Sequence, residues 1–433
     1  LRERLKTLLL LALVLSSIIL TALLLFGVPP LETVSPPAYE KLAFGELRPP
    51  DRQVLPVLRF GFQQVFPWMP EYNRIWEAIR QLLREAGETS VERQEKPALG
   101  EGGQLLMQFP LPVTLEVWGA APHSAMPAIA AISWLAVDPG AIWYLDERGD
   151  WLRSVPANFR LDQATVRDAF HGVAAFRPAD RQEWAALGLE LEDEILLPIS
   201  LPVMAPRYIA REELDFDKLL RSIFPHLTLV RRIEEREGAV IYTDGQKGLR
   251  LFDTGEVEFS APKSEPGQER MTLLTALRRT AQYLQLMGGW PEHLFVGGFT
   301  PEGAFVPSAP GNKYTVTFFS AQHGKRLLQQ APPVQLSFSD RGIISYSRQI
   351  RILGDKAGKA AILVSPLTAA ASLAEELAGQ ERMPSIREVF AAYYIREPVG
   401  PQTVAQPVWA LVCSDGRTAV VHGYSGRLLS WLE

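Results

Sequence analysis

The apolar positions of the chain change their spacing several times, and each change predicts an element. Residues 7–28 carry no charged side chain. As a helix they would reach roughly 33 Å at 1.5 Å per residue, enough for a bilayer core. Arg2, Arg4 and Lys6 precede this stretch and Pro29-Pro30 closes it, so the positive-inside rule predicts an uncleaved transmembrane anchor with its N-terminus in the cytoplasm. A cleaved signal peptide fits less well, because its apolar core is shorter and a small-x-small cleavage site is missing. Within the stretch, Ala12 and Ser16 share a helix face, as do Ser17 and Thr21. Small residues four apart allow close helix–helix contact in lipid; alternatively the hydroxyls bond back to their own helix.

Residues 29–56 are rich in proline and predict a semi-stiff stalk. A first soluble unit is expected over 57–200. Its helix starts at Pro70 and ends at Gly87, with Ile75, Trp76, Ile79, Leu82, Leu83 and Ala86 on one stripe. Glu71, Arg74, Glu77, Arg80 and Arg84 fall on its wet side. Strand-like runs follow at 105–109, 113–118, 130–137 and 142–145, punctuated by Asp138-Pro139-Gly140 and the turn at 146–149. Residues 160–194 read as more helical.

A second unit is expected over 201–332. Asp215 is a plausible cap for a short helix containing Phe216, Leu219, Leu220 and Ile223. Strands at 228–233, 239–243, 249–252 and 256–259 then meander, and Val257 and Phe259 alternate with Glu256 and Glu258 to give one dry face. A helix over 271–287 stops at Gly288-Gly289, and a strand returns at 314–319. A third unit, 333–433, repeats the plan: a hairpin over 335–352, a helix opened by Pro366, and strands at 391–395, 408–413 and 418–422. The expected fold class is therefore α+β: a cytoplasmic tip and transmembrane anchor over 1–28, then a three-domain ectodomain whose last two domains are similar sheet-plus-helix units.

Composition narrows the chemistry. The chain has 433 residues, 47% hydrophobic and 21% charged, with a net charge of −5. That fits folded protein and gives no basic field for nucleic acid. The lone Cys413 has no disulfide partner and reads as a buried small hydrophobe. The six histidines, His123, His171, His226, His293, His323 and His422, show no metal-binding spacing. Gly354, Gly358 and Lys359 miss the phosphate-loop spacing, and Ala360 stands where Ser or Thr is needed. Asp253-Thr254-Gly255 looks like half an aspartic protease site. Such a site needs two carboxylates sharing a proton, yet no second copy of the motif exists and Glu256 follows the glycine. The flanking alternation instead predicts a hairpin tip. Arg348 is the unusual residue, because it shares a strand face with Ile344, Tyr346, Ile350 and Ile352. A bulge or a snorkelling side chain would explain it, as would an anchoring ion pair or a partner contact. No catalytic, cofactor or metal site is expected.

The run Ile241-Tyr242-Thr243-Asp244-Gly245 with Gly248-Leu249-Arg250, the strand ending in Phe259 and Pro262 resemble the YycH family. So do Gly288-Gly289-Trp290-Pro291, Tyr346-Ser347-Arg348 and Gln406-Pro407-Val408-Trp409. The likeness is best over 200–425 and weak over 90–200. It implies an extracellular regulator, held in the cell membrane by one helix, that acts with its paralogue YycI on the sensor kinase WalK (YycG) in the WalKR two-component system governing cell-wall metabolism. The family's later domains resemble YycI. Tyr242, Asp244, Gly245, Gly248, Leu249, Arg348 and Trp409 read as fold signatures. Two other function classes remain in view: an extracytoplasmic peptidase and a PepSY-like module that binds peptide or cell wall.

Overall fold

The computed structural model describes residues 6, 16, 43–84, 91–97, 103–114, 117, 131–155, 160–192, 194–236, 238–261, 271–301, 312–378, 384–396 and 403–432. Its framework is two large sheets. The first has seven strands: β1 (Val57–Phe60), β2 (Gln63–Val65), β3 (Val91–Gln94), β4 (Leu105–Val113), β5 (Ile132–Asp138), β6 (Ala141–Asp146) and β7 (Trp151–Ser154), in the order β2-β1-β4-β5-β6-β7-β3. The helix Tyr72–Arg84 packs Ile75, Trp76, Ile79 and Leu83 of its predicted stripe into the core beneath it, with Ile75 and Ile79 fully buried; Ala86 lies outside the described residues. Arg80, expected on the wet side, is also buried and pairs with Asp51 at 2.9 Å. The run 160–194 breaks into the helices Gln163–Ala169 and Arg181–Ala185, each started by an aspartate side chain, Asp162 and Asp180. Between and after them lie β8 (Phe176–Pro178) and β9 (Leu196–Pro198), which pair with each other.

The second sheet has fifteen strands. Its central part comprises β12 (Arg231–Glu234), β13 (Val240–Thr243), β14 (Gly248–Leu251), β15 (Val257–Ser260), β16 (Leu294–Pro301), β17 (Lys313–Gln322), β19 (Val334–Ser339) and β20 (Gly342–Arg348). These run β12-β13-β14-β15-β20-β19-β17, with β16 on the other side of β17. The C-terminal part comprises β11 (Arg207–Arg211), β21 (Arg351–Lys356), β23 (Ile386–Tyr394), β24 (Val404–Cys413), β25 (Thr418–His422) and β26 (Leu428–Leu432). The hairpin strand β18 (Lys325–Leu328) joins the parts: it is antiparallel to β17 and parallel to β23. The short strands β10 (Val203–Met204) and β22 (Ala361–Ile362) pair separately.

Strand pairing therefore crosses residue 332. The hairpin expected to open the third unit, β19–β20, is bonded to β17 and β15 of the central part. The expected strand 342–352 breaks after Arg348, where the Gln349 N–H donates to Pro333 instead. Beyond the break, β21 joins β11. Two main cores result. One spans Val54 to Ile350 and includes the helix Leu273–Leu286, which buries Leu273, Leu277 and Leu284; each leucine so buried contributes about 1.5–3 kcal/mol. The other is built on Trp184, the helix Pro366–Leu377 and Trp409. Residues 43–433 form one compact unit.

Two expectations are corrected. Among the described residues there are six α-helices against twenty-six strands, so this part of the protein is mostly sheet, and the expected α+β class led by a transmembrane helix is not supported. No helix among the described residues is long and apolar enough to cross a membrane, and the single-pass membrane placement is not supported. The expectation rested on the hydropathy of residues 7–28 alone, and apart from Ser16 that stretch lies outside the described residues. Of the proposed contacts only Ser16 is described, in helical conformation and exposed. Ala12, Ser17 and Thr21 lie outside the described residues.

Candidate functional site

A buried polar arrangement lies where the helix Leu273–Leu286 ends against β20. Thr272 caps the start of that helix, its Oγ1 accepting from Thr275 N at 3.3 Å. At the other end Gly288 and Gly289 take φ of +103° and +85°, and Gly289 N–H donates back to Leu284 at 2.7 Å. Positive φ is open to glycine at little cost. A side chain at 288 is excluded twice over, since its Cβ would stand 2.9 Å from Leu214 Cδ1 and 3.2 Å from Arg348 Cζ.

The carbonyls of the C-cap residue Met287 and of the two turn glycines face the sheet, and the Tyr-Ser-Arg segment of β20 meets them. Tyr346 donates its hydroxyl to the Met287 carbonyl at 2.7 Å. Arg348 donates to Gly289 O at 2.9 Å and to Gly288 O at 3.2 Å. Its Nε and Nη2 also form a two-pronged pair with Glu212, at 2.7 and 2.6 Å. A guanidinium fork matches a carboxylate in this way, and the negative end of a helix favours a cation. Arg348 is 2% exposed. Burial works against its charge, and Tyr346 with Glu212 more than offsets this, so its pKa lies above the ordinary value. Burial, opposed by Arg348, raises the Tyr346 hydroxyl. Of the readings open for Arg348, the anchoring ion pair is observed, and β20 also carries a register irregularity at Ile344, between the pairs Ser337–Ser345 and Phe338–Ile343.

Glu212 also lines an open cleft of about 690 Å³ between the segment 211–216 and the tip of the β14–β15 hairpin. Asp253-Thr254-Gly255 is that tip: Gly255 N–H donates to Phe252 O, and Phe252 N–H to Glu256 O. Arg211 holds the Asp253 carbonyl at 2.6 Å and Arg351 the Thr254 carbonyl at 3.2 Å. The cleft wall carries Phe216 and Phe252 beside Glu213, Asp215 and Asp253. Asp215 is committed to the helix Phe216–Ile223, accepting from Lys218 N.

The other signature residues work one hairpin away. Asp244 Oδ1 accepts from Gln246 and Lys247 N–H at 3.0 Å, and Gly245 takes φ +87°. The loop so formed sends Lys247 to the Ile223 carbonyl and places its ammonium 5.3 Å from the Phe224 ring. Tyr242 is half-buried against the same core, Gly248 opens β14, and Leu249 is fully buried. Trp409 is elsewhere, in the second core, donating to Val364 O at 2.9 Å. Cys413 is buried at the end of β24, and burial with Asp415 behind it pushes its thiol up to about 11. Gly354 lies in β21, where its carbonyl accepts from Arg207.

His171, His226 and His323 are exposed, His293 and His422 half-buried, and His123 lies outside the described residues. No group of three or more His, Cys, Asp or Glu among the described residues is placed to hold a metal ion. Sequence reasoning missed Glu212 and Arg211. Neither sits near its partner in the chain, Glu212 being 136 residues from Arg348, so no local signal could have joined them.

No family model matches the chain, and no curated protein does. Solved structures give distant likenesses. An uncharacterized protein from Eubacterium rectale superposes on 56% of this chain and 90% of its own, with 10% identity and a TM-score of 0.37. The C-terminal domain of YpeB from Bacillus megaterium covers 51% of this chain and 98% of its own, with 11% identity and a TM-score of 0.27.

Proposed function

We propose that the protein is a non-catalytic regulatory module acting by protein–protein contact. The observation that carries this reading is the set of YycH-like motifs and the work they do here. Tyr346-Ser347-Arg348 grips the turn at Gly288-Gly289, and the Asp244–Gly248 loop grips the helix Phe216–Ile223. These side chains are spent on holding helices to a sheet. On the resemblance, the partner is a sensor histidine kinase of the WalK (YycG) type, acted on together with a YycI-like paralogue. Such a regulator changes kinase output only by binding one kinase state more tightly than the other. The test is to mix the purified full chain with kinase and paralogue, then follow association and autophosphorylation. Absence of any complex, with kinase output unchanged, sinks the reading.

The open cleft favours a second reading, a peptide-binding module. Phe216 and Phe252 beside Glu213 and Asp253 suit an extended basic peptide. Titration of an arginine-rich peptide against the chain and its Asp253→Asn form distinguishes the two: tight binding weakened by the substitution supports the cleft. Hydrolysis of the peptide, lost in Asp253→Asn with the fold intact, would make the protein a peptidase.

A further inference from the structure

Among the described residues β12 is the free edge of the fifteen-stranded sheet: it is paired on one side with β13 and is the terminal strand of the order. All four of its residues are exposed, including the apolar Ile233 at 48%. Such an edge is a template for another strand unless it is blunted. Glu235 N–H donates to Ala239 O on the β13 side. Since antiparallel ladders alternate, the backbone groups of Ile233 and Arg231 also face β13. Those of Arg232 and Glu234 face outward, free to accept a new strand.

The charges select which strand. The edge reads Arg231-Arg232-Ile233-Glu234-Glu235, and its charge pattern inverts about Ile233. A two-fold axis perpendicular to the sheet keeps each residue on its own face, so only residues of the same parity can stand opposite. With the axis at Ile233, Arg232 and Glu234, which pair with each other within one chain at 2.5 Å, exchange that pair for Glu234 and Arg232 of the copy, and Arg231 faces Glu235, each pair occurring twice, while Ile233 meets Ile233. The outward-facing residues 232 and 234 then form the hydrogen-bonded pairs, and the two isoleucines sit at a close, non-bonded pair. Sliding the axis by one residue either way sets Arg232 against Arg232 or Glu234 against Glu234. Glu235 is already held beside this edge by Arg250, at 2.7 Å.

We propose that two copies of this chain associate through antiparallel pairing of β12 with β12, centred on Ile233, to continue the sheet across the dimer. The occupant of the edge is a second copy because only a strand with the inverse charge order satisfies all four pairs, and this strand is its own inverse.

Sedimentation of the full chain over a range of concentrations tests this. A concentration-dependent monomer–dimer equilibrium is expected, weakening at high salt. Arg232→Glu places like charges opposite one another and raises the dimer dissociation constant about tenfold or more, with circular dichroism unchanged. The double variant Arg232→Glu/Glu234→Arg restores self-association but does not mix with the original chain. Glu234→Pro removes one outward N–H while leaving the ladder to β13 intact, and it also abolishes the dimer. A chain that is monomeric at every concentration overturns the proposal, as does a dimer indifferent to Arg232→Glu, which would use another surface.

Discussion

Arg348 and Arg326 both tie together segments far apart in the chain, but by different physics. Arg348 sits in a shell of oxygen: the Glu212 carboxylate, two helix-end carbonyls and the Tyr346 hydroxyl, the last at 3.1 Å. Arg326, on β18 between the two parts of the large sheet, sits among rings. Its guanidinium carbon lies 4.9 Å from the Trp68 ring, 4.7 Å from Phe319 and 4.7 Å from Phe390. Trp68 in turn stacks on Phe66 and meets Phe295 and Phe319 edge-on. The nearest carboxylate to Arg326, Glu388, stands at 3.6 Å and is 40% exposed, so that pair contributes little. The oxygen shell fixes direction, because each bond needs its own lone pair. The ring shell fixes only position, because a π face accepts a cation over a broad area.

Removal should therefore cost most at Arg348. Arg348→Met leaves Glu212 and the helix carbonyls facing one another, and unfolding in urea should show a loss of about 3–5 kcal/mol. Adding Glu212→Leu should recover much of it, since the orphaned charge rather than the lost attraction dominates. If the double variant is no better than the single one, the account of Arg348 as an internal anchor is wrong. Arg326→Ala should cost less, about 1–2 kcal/mol. In a double-mutant cycle with Trp68→Ala a positive coupling is expected; strict additivity would reduce the ring shell to mere proximity.

The smallest effect separates the two regions by pH. His293 lies half-buried near the Arg348 knot, and its Nε2 is buried with no hydrogen-bond partner among the described residues. Burial lowers its pKa, opposed by Glu212 and assisted by Arg348. The folded state thus prefers the neutral ring, and below the ordinary histidine range the unfolded chain binds the extra proton more readily. Stability is full above that range and falls as pH drops through it. Melting curves between pH 7.5 and 5.5 should show this slope in the natural chain and a shallower one in His293→Gln.

Much of the central part was legible because its information is local. The predicted helix at 271–287 is the observed Leu273–Leu286, since its caps and apolar stripe are written within a few residues. Pro366 opens its helix as expected, with Ser365 as cap. The Asp253-Thr254-Gly255 hairpin tip followed from alternation on both sides. What failed was non-local. Arg80 looked wet by periodicity, yet Asp51 on a distant turn covers it. The strand 342–352 looked continuous, yet it changes partners at Gln349 because β20 belongs to β15 and β19 while β21 belongs to β11. The third unit was placed from element order alone, and order does not state which strands share hydrogen bonds. In the site, sequence marked Arg348 as anomalous but could not supply Glu212.

That separation also sets a clock. Glu212 leaves the ribosome 136 residues before Arg348. At about 5–20 residues per second of synthesis, it waits roughly 7–27 s for the guanidinium that will hold it. During the same interval β11, one residue upstream, has neither β21 nor β24 to pair with. The nascent chain thus carries a strand without its partner strands beside a carboxylate without its guanidinium until synthesis supplies both.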